Sequence, residues 1–201
     1  MSKKLPAIAL ILALTLAGCL GSQAETLVQW DFNSYDNNLN SGTLAPAIGA
    51  GTAVKVGSVA ESFTAANGSS DPASDTVDDS NWRITTFPAQ GTGNKTAGAR
   101  FNVSTVGYVN ISMVWDQQNS ATANKYWRVQ YTTDGTSWVD KDVIINTVSA
   151  GWNNQVFSAN FSAIPGANNN PNFGVRIFSE LASTAVGGAS SYVPWVAARI
   201  A

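Results

Sequence analysis

Four aspartates in one short segment are the residues whose chemistry and spacing best suit a metal ion. Carboxylate oxygens with serine and asparagine oxygens nearby suit Ca²⁺, which takes about 6–8 oxygen ligands. The spacing differs from that of an EF-hand loop, so a structural Ca²⁺ site and a solvated acidic loop are both open readings. The candidate ligands are Asp71, Asp75, Asp78 and Asp79.

Aromatic residues outside the strand-like segments are the candidates for holding a sugar. Trp82 and Arg83 follow the acidic segment, Trp152 and Asn153 lie in a predicted turn, and Trp195 lies near the end of the chain. An aromatic ring on a loop offers its face to the apolar face of a sugar, and neighbouring Asn or Arg side chains bind hydroxyls. The alternative is that each tryptophan closes an end of the fold.

Residue types exclude most catalytic chemistry. The chain contains no histidine and only one cysteine, Cys19. Catalytic triads with histidine, histidine-ligated zinc sites and histidine acid–base catalysis are therefore absent. Asp116 with Asp140 or Asp142 is the one carboxylate pair that would suit a glycosidase. We expect no catalytic residues and no cofactor other than a structural Ca²⁺.

The N-terminus has the pattern of an export signal. Lys3 and Lys4 precede an apolar run from Leu5 to Ala17. This run is shorter than the about 20 residues that span a bilayer as a helix, so residues 1–18 are predicted to be a signal peptide.

The end of this run resembles the lipobox of bacterial lipoproteins. In residues 16–19, small residues precede Cys19, and in such proteins this cysteine is acylated and becomes the mature N-terminus. Residues 19–25 would then be a short tether. The alternative is cleavage after Ala24 and secretion without a lipid. We therefore expect either an envelope lipoprotein, held to the membrane only by its N-terminal lipid, or a secreted protein.

Charge and composition point to an extracellular β-protein. Charged residues make up 12 % of the chain, about half the usual share. The formal net charge is −2, and a mildly acidic surface does not attract a phosphate backbone, so nucleic acid is not an expected partner. The seven tryptophans, five tyrosines and eight phenylalanines suit both a sandwich core and a sugar-binding surface.

Short runs of alternating apolar and polar residues predict an all-β fold. Because about eight to nine such runs are separated by turn residues, we expect an antiparallel β-sandwich of the jelly-roll type. The domain should cover residues 26–181, and residues 182–201 form either a Gly/Ala-rich tail or an incomplete last strand. The predicted strands are Thr26–Phe32, Thr52–Val59, Asn81–Phe87, Ala97–Val103, Tyr108–Trp115, Tyr126–Thr132, Trp138–Thr147, Gln155–Phe161 and Phe173–Ser179.

The alternation also predicts which side chains face the core. Trp30, Trp115, Trp127 and Trp138 are expected there. Arg128 and Gln130 alternate with the apolar residues of their strand and should face outward. Together with Asn110 and Ser112 they would form a polar patch across neighbouring strands.

One segment resembles a known family. Residues 129–138, Val-Gln-Tyr-Thr-Thr-Asp-Gly-Thr-Ser-Trp, are similar to the strand–turn–strand signature of discoidin-type (coagulation factor 5/8 C-terminal-like) and other galactose-binding-like jelly rolls. Residues 175–177, Val-Arg-Ile, resemble their late strand that carries an arginine. The paired cysteines of many discoidin domains are absent.

The resemblance implies a jelly-roll fold and, with the loop aromatics, a binding function. We expect a non-catalytic, exported surface module that binds extracellular carbohydrate or a surface glycan. One alternative is a structural or adhesive protein that binds another surface protein. Another is a calcium-dependent or carboxylate-only hydrolase.

Overall fold

The computed structural model describes residues 24–65, 79–120, 123–146, 156–185 and 195–198. In these ranges the chain forms strands, turns and one 3-10 turn at Pro165–Ala167, and no helix long and apolar enough to cross a bilayer occurs. The strands are Val28–Gln29 (β1), Ile48–Gly49 (β2), Gly51–Val56 (β3), Ala60–Ala65 (β4), Ser80–Thr85 (β5), Gly98–Val103 (β6), Ser112–Asn119 (β7), Asn124–Thr132 (β8), Val139–Ile145 (β9), Val156–Asn160 (β10), Gly174–Ala185 (β11) and Trp195–Ala198 (β12).

Two five-stranded antiparallel sheets make up the fold. The first sheet has the order β10-β7-β12-β5-β4, and the second has the order β3-β6-β11-β8-β9. Strands β1 and β2 form a separate two-stranded ladder. Apart from the consecutive pairs β4–β5 and β8–β9, neighbours in each sheet are distant in sequence, as expected for a sandwich rather than a simple meander. The predicted all-β sandwich is confirmed.

Aromatic side chains fill the space between the sheets. The ring centroids of Trp82 in the first sheet and Phe101 in the second are 6.0 Å apart and nearly perpendicular. Trp127 meets Phe87 edge to face at 5.3 Å. Edge-to-face packing is favourable because the positive edge of one ring meets the negative face of the other. The core prediction for Trp30, Trp115 and Trp127 is confirmed, since all three are buried.

Buried polar groups in the core bind each other. The indole Nε1 of Trp115 donates to Oε1 of Gln117 at 3.2 Å, and that of Trp127 donates to the carbonyl oxygen of Asn124 at 3.1 Å. Asn146 Nδ2 donates to the carbonyl oxygen of Gln117 at 3.4 Å. These bonds offset the desolvation of groups that would be costly to bury alone.

Strand ends differ from the predictions where local backbone geometry intervenes. The first strand is only Val28–Gln29 rather than Thr26–Phe32, and Phe32 has a φ of 60°. A positive φ takes the chain out of the extended region, so the strand cannot continue there. Trp30 and Phe32 are nevertheless buried.

The end of the chain contributes an interior strand. Strand β12 pairs with β5 on one side and β7 on the other, so it lies in the middle of the first sheet. Strand β11 runs on to Ala185, past the predicted end of the domain at residue 181. Residues 182–185 and 195–198 therefore belong to strands of the two sheets.

Two predictions about side-chain position are wrong. Trp138 is half-buried just before β9 and lies outside the hydrophobic core. The polar patch does not form as predicted, because Ser112 belongs to the first sheet whereas Arg128 and Gln130 belong to the second. A sequence pattern identifies the outward face of a strand but not the sheet to which the strand belongs.

Candidate functional site

The outer face of the second sheet gathers most of the charged side chains that contact one another. We call this surface the arginine face and define it by Lys95, Arg100, Arg128, Gln130, Trp138, Asp140, Arg176, Phe178 and Glu180. Its middle is one row of directly opposed residues. Arg100 of β6 faces Arg176 of β11, Arg176 faces Gln130 of β8, and Gln130 faces Asp140 of β9.

Strand periodicity places this row on the outside. Val175 and Ile177 flank Arg176 and are buried in the core. Successive side chains of a strand point to opposite faces, so burial of both neighbours turns Arg176 outward. Arg100 is turned outward in the same way by buried Ala99 and Phe101.

Arg176 is held between two aromatic rings. Its guanidinium carbon lies 4.4 Å from the ring centroid of Trp138 and 4.5 Å from that of Phe178. Its Nε donates to Oε1 of Gln130 at 2.6 Å. Burial is the largest cause of the lowered pKa of Arg176, and the positive charge of Arg100 is the next. The guanidinium nevertheless stays protonated at neutral pH. The stacked rings and the hydrogen bond fix the plane of this group.

Gln130 links Arg176 to a carboxylate. Its Nε2 donates to Oδ1 of Asp140 at 2.5 Å, and Lys95 Nζ donates to Oδ2 of the same carboxylate at 2.5 Å. The hydrogen bond from Lys95 is the largest cause of the lowered pKa of Asp140, and the one from Gln130 is the next. Asp140 is therefore ionised at neutral pH and engaged at both oxygens.

Arg128 makes a two-pronged ion pair with Glu180, and its Nε also lies 3.7 Å from Oδ2 of Asp140. Its Nε and Nη2 donate to the two carboxylate oxygens of Glu180, each at 2.8 Å. This bonding raises the pKa of Arg128. Fork-to-fork pairing of this kind is among the stronger ionic contacts in proteins. Glu180 is therefore paired with Arg128 and not with Arg176 or Arg100.

Arg100, like Arg176, is a cation of this face that forms no ion pair with a described carboxylate. Among the described residues, the Nε of Arg100 is buried without an acceptor. On its other side in the row, β3 presents Val54. The arginine face thus has the cations Lys95, Arg100, Arg128 and Arg176 against two carboxylates, Asp140 and Glu180.

The prediction that Trp82 is a sugar platform is wrong. Trp82 lies within β5, is 0 % exposed and packs against Phe32 and Phe101. Its indole Nε1 donates to Oε2 of Glu61 at 3.0 Å. Because β5 begins at Ser80, Trp82 lies within a strand rather than on a loop, and its buried ring belongs to the core.

The other predicted ligand-binding residues are only partly described. Arg83 is half-buried in β5, and burial lowers its pKa. Trp195 is the first residue of β12 and pairs with Thr85. Trp152 and Asn153 lie outside the described residues, as does the proposed lipidation site Cys19. Their roles stay predictions.

The Ca²⁺ prediction also stays open. Asp71, Asp75 and Asp78 lie outside the described residues, while Asp79 is buried immediately before β5. Within the ranges that the structure describes, no three acidic, histidine or cysteine side chains come together as a metal site would require.

The carboxylates considered as a glycosidase pair do not face each other. Asp116 belongs to the first sheet, and Asp140 lies on the outer face of the second. Packed sheets are about 10 Å apart, which exceeds the about 5.5 Å of a retaining pair and the about 6.5–9.5 Å of an inverting pair. Asp142 forms its ion pair with Lys141, at 3.1 Å.

Sequence reasoning missed the joint position of Arg100, Arg176 and Trp138. The alternation signal was present, since each arginine stands between two apolar residues. What was lacking was the pairing of β6 with β11 and of β11 with β8, which joins strands separated by about 40 or more residues.

Comparisons with known proteins place few constraints on the chain. No family model matches it, and no curated protein matches it. It is similar to a solved structure of the CBM22-1–GH10 modules of Clostridium thermocellum endo-1,4-β-D-xylanase 10B, complexed with xylohexaose. The TM-score is 0.40 and the identity 9 %, over 74 % of this chain and 26 % of the other. The chain thus spans about a quarter of that protein's length, and the discoidin-type resemblance stays a prediction.

Proposed function

We propose that this chain is a non-catalytic module that binds extracellular carbohydrate on the arginine face. The observation that carries the proposal is the half-buried Trp138 beside Arg176, whose guanidinium is held by the buried amide of Gln130. Aromatic surface with a few convergent polar groups is the usual make-up of a sugar site. Apart from Lys95 and Trp138, which lie in the connections before β6 and β9, the residues of this face lie on paired strands, which hold side chains more firmly than a loop does.

The carboxylates of this face support a binding role rather than catalysis. A general acid in a glycosidase needs a raised pKa, but the pKa of Asp140 is lowered by Lys95 and Gln130. A screen of glycosidase substrates with and without a chelator tests this point. Turnover that the chelator abolishes would instead favour the calcium-dependent hydrolase.

The test of carbohydrate binding is affinity electrophoresis against a panel of neutral and acidic polysaccharides. Trp138→Ala should weaken binding roughly tenfold, because it removes an aromatic contact and frees Arg176 from its stacking partner. Tyr35→Ala is the matched control, since Tyr35 is 64 % exposed and outside the arginine face. Equal binding by the wild-type protein and Trp138→Ala would contradict the proposed site.

Export and lipid attachment complete the proposal. The apolar run before Cys19 and the lipobox pattern support a mature protein tethered through an acylated Cys19. Fractionation and mass analysis in a Gram-negative host should find that N-terminus in the membrane fraction. A soluble product that begins at Glu25 would replace the tether with secretion after Ala24.

A second candidate is binding to another surface protein through the edge of the second sheet. Strand β9 is an edge strand, and its Val139, Val143 and Ile145 are each more than 40 % exposed. Exposed apolar edge strands are templates for pairing with another chain. Val143→Ser removes an exposed apolar side chain without adding a charge opposite Arg128, so it should weaken such binding and leave polysaccharide binding intact.

A further inference from the structure

Two arginines oppose each other on the arginine face at a cost in stability. Arg100 and Arg176 are direct partners in the β6–β11 pairing. Like charges in directly opposed positions of a sheet are destabilising. The charge of Arg100 is also one cause of the lowered pKa of Arg176. A negatively charged partner placed between the two guanidinium groups would offset this repulsion.

The carboxylates on this face do not supply that partner. Glu180 is taken by Arg128, and both oxygens of Asp140 are taken by Lys95 and Gln130. Asp140 reaches Arg176 only through Gln130 and at longer range. Among the described residues, Arg100 has no ion-pair partner at all.

The donors of the pair are ready for an anion. A guanidinium has five N–H donors, and the bond from Nε to Gln130 is the one hydrogen bond that Arg176 makes to a described residue. Its terminal nitrogens are thus available, in a plane fixed by Trp138 and Phe178. Two neighbouring guanidinium groups match the oxygens of a carboxylate or sulfate, and charge-assisted bonds to them are strong.

We propose that Arg100 and Arg176 together bind an oxyanion carried by the sugar, so that the ligand of this face is an acidic polysaccharide. This inference rests on the proposed carbohydrate-binding function. Four cations against two carboxylates give the face a positive charge, although the chain as a whole has a net charge of −2. The charge of this face, rather than the net charge of the protein, decides which polymer the face attracts. A uronate carboxylate and an ester sulfate share the required chemistry.

The test compares three polymers in affinity electrophoresis: neutral dextran, alginate as the uronate and dextran sulfate as the sulfate ester. The wild-type protein should bind at least one acidic polymer, and binding should weaken with added salt. Arg100→Gln should weaken that binding about tenfold, because it removes charge-assisted hydrogen bonds. The stronger of the two acidic polymers identifies the anion.

Three variants separate specific recognition from general attraction. Arg100→Lys keeps the charge but not the fork of donors, so it should recover only part of the affinity. Lys141→Gln removes a cation outside the arginine face, and it should leave binding unchanged. Arg100→Gln should also raise the melting temperature, because it relieves the repulsion with Arg176. If the melting temperature of this variant is at or above that of the wild-type protein, misfolding is excluded as the cause of lost binding.

Failures of the two proposals give different results. If dextran binds as well as the acidic polymers and Arg100→Gln changes nothing, the anion site is overturned while carbohydrate binding stands. If Lys141→Gln weakens binding as much as Arg100→Gln does, attraction is general and the site is likewise overturned. If the wild-type protein binds none of the polymers in a wider panel of neutral and acidic polysaccharides, the proposed function itself fails.

Discussion

Some side chains of this protein pack in the core of the sandwich, and others lie on its outer surface. Trp127 and Trp138 illustrate the difference, although both are tryptophans in or beside strands of the second sheet. Trp127 is 2 % exposed, and its ring and indole nitrogen both have partners in the core. Trp138 instead stacks on Arg176 at the surface.

Trp127→Ala should therefore lower the free energy of unfolding by about 3–5 kcal/mol, because it leaves a large cavity and removes the edge-to-face contact with Phe87. Urea unfolding followed by circular dichroism measures this loss. Trp138→Ala is the control and should cost far less, since that ring lies outside the core. A similar loss in both variants would contradict the assignment of Trp138 to the surface.

At the scale of elements, the turn between β8 and β9 sets the register that aligns Gln130 with Asp140. Asp134 Oδ1 accepts hydrogen bonds from the backbone nitrogens of Thr136 at 2.8 Å and Ser137 at 2.6 Å. Gly135 has a φ of 78°, which glycine adopts without steric cost. The Asp-Gly pair thus fixes the turn through the side chain of Asp134, which accepts from nearby backbone N–H groups, and through the positive φ of Gly135.

This turn should make stability depend on pH. Hydrogen bonds to Ser137, and then to Thr136 and Thr132, hold the pKa of Asp134 well below its usual value of 3.8. A folded-state pKa below the unfolded one gives stability that is present above about pH 4 and is lost as pH falls further. Asp134→Asn should remove this part of the pH dependence, because an amide keeps an acceptor without titrating.

Unfolding free energies measured from pH 6 down to pH 2 check this prediction. The difference between the wild-type protein and Asp134→Asn should shrink as pH falls below 4. Asp140 titrates in the same direction, since its pKa is also lowered, and it contributes equally to both proteins. A difference that is constant over the range would show that the carboxylate of Asp134 is not what stabilises the turn.

Over the whole molecule, the two sheets divide the tasks. The inner faces bury Trp82, Trp127 and Phe101, whereas the outer face of the second sheet carries Arg100, Arg128 and Arg176. The chain end takes part in this architecture, because β12 joins β5 to β7 in the first sheet. Because β12 lies between β5 and β7, the pairing of the first sheet is complete only when residues 195–198 are in place.

The sequence by itself determined the all-β class, most strand positions, the core positions of Trp30, Trp115 and Trp127, and the outward direction of Arg128 and Gln130. These follow from period-2 alternation and turn residues, which act within a few residues. The expected export, lipidation and Ca²⁺ binding stay predictions.

Only the tertiary structure decided that Trp82 is core, that Trp138 is surface, and that Arg100 faces Arg176. Pairing of β6 with β11 joins residues 76 positions apart in the chain. Alternation assigns a face to each strand, but long-range pairing selects which strands become neighbours. The physical reason is that a strand's neighbours are chosen by the packing of two whole sheets, which no local pattern encodes.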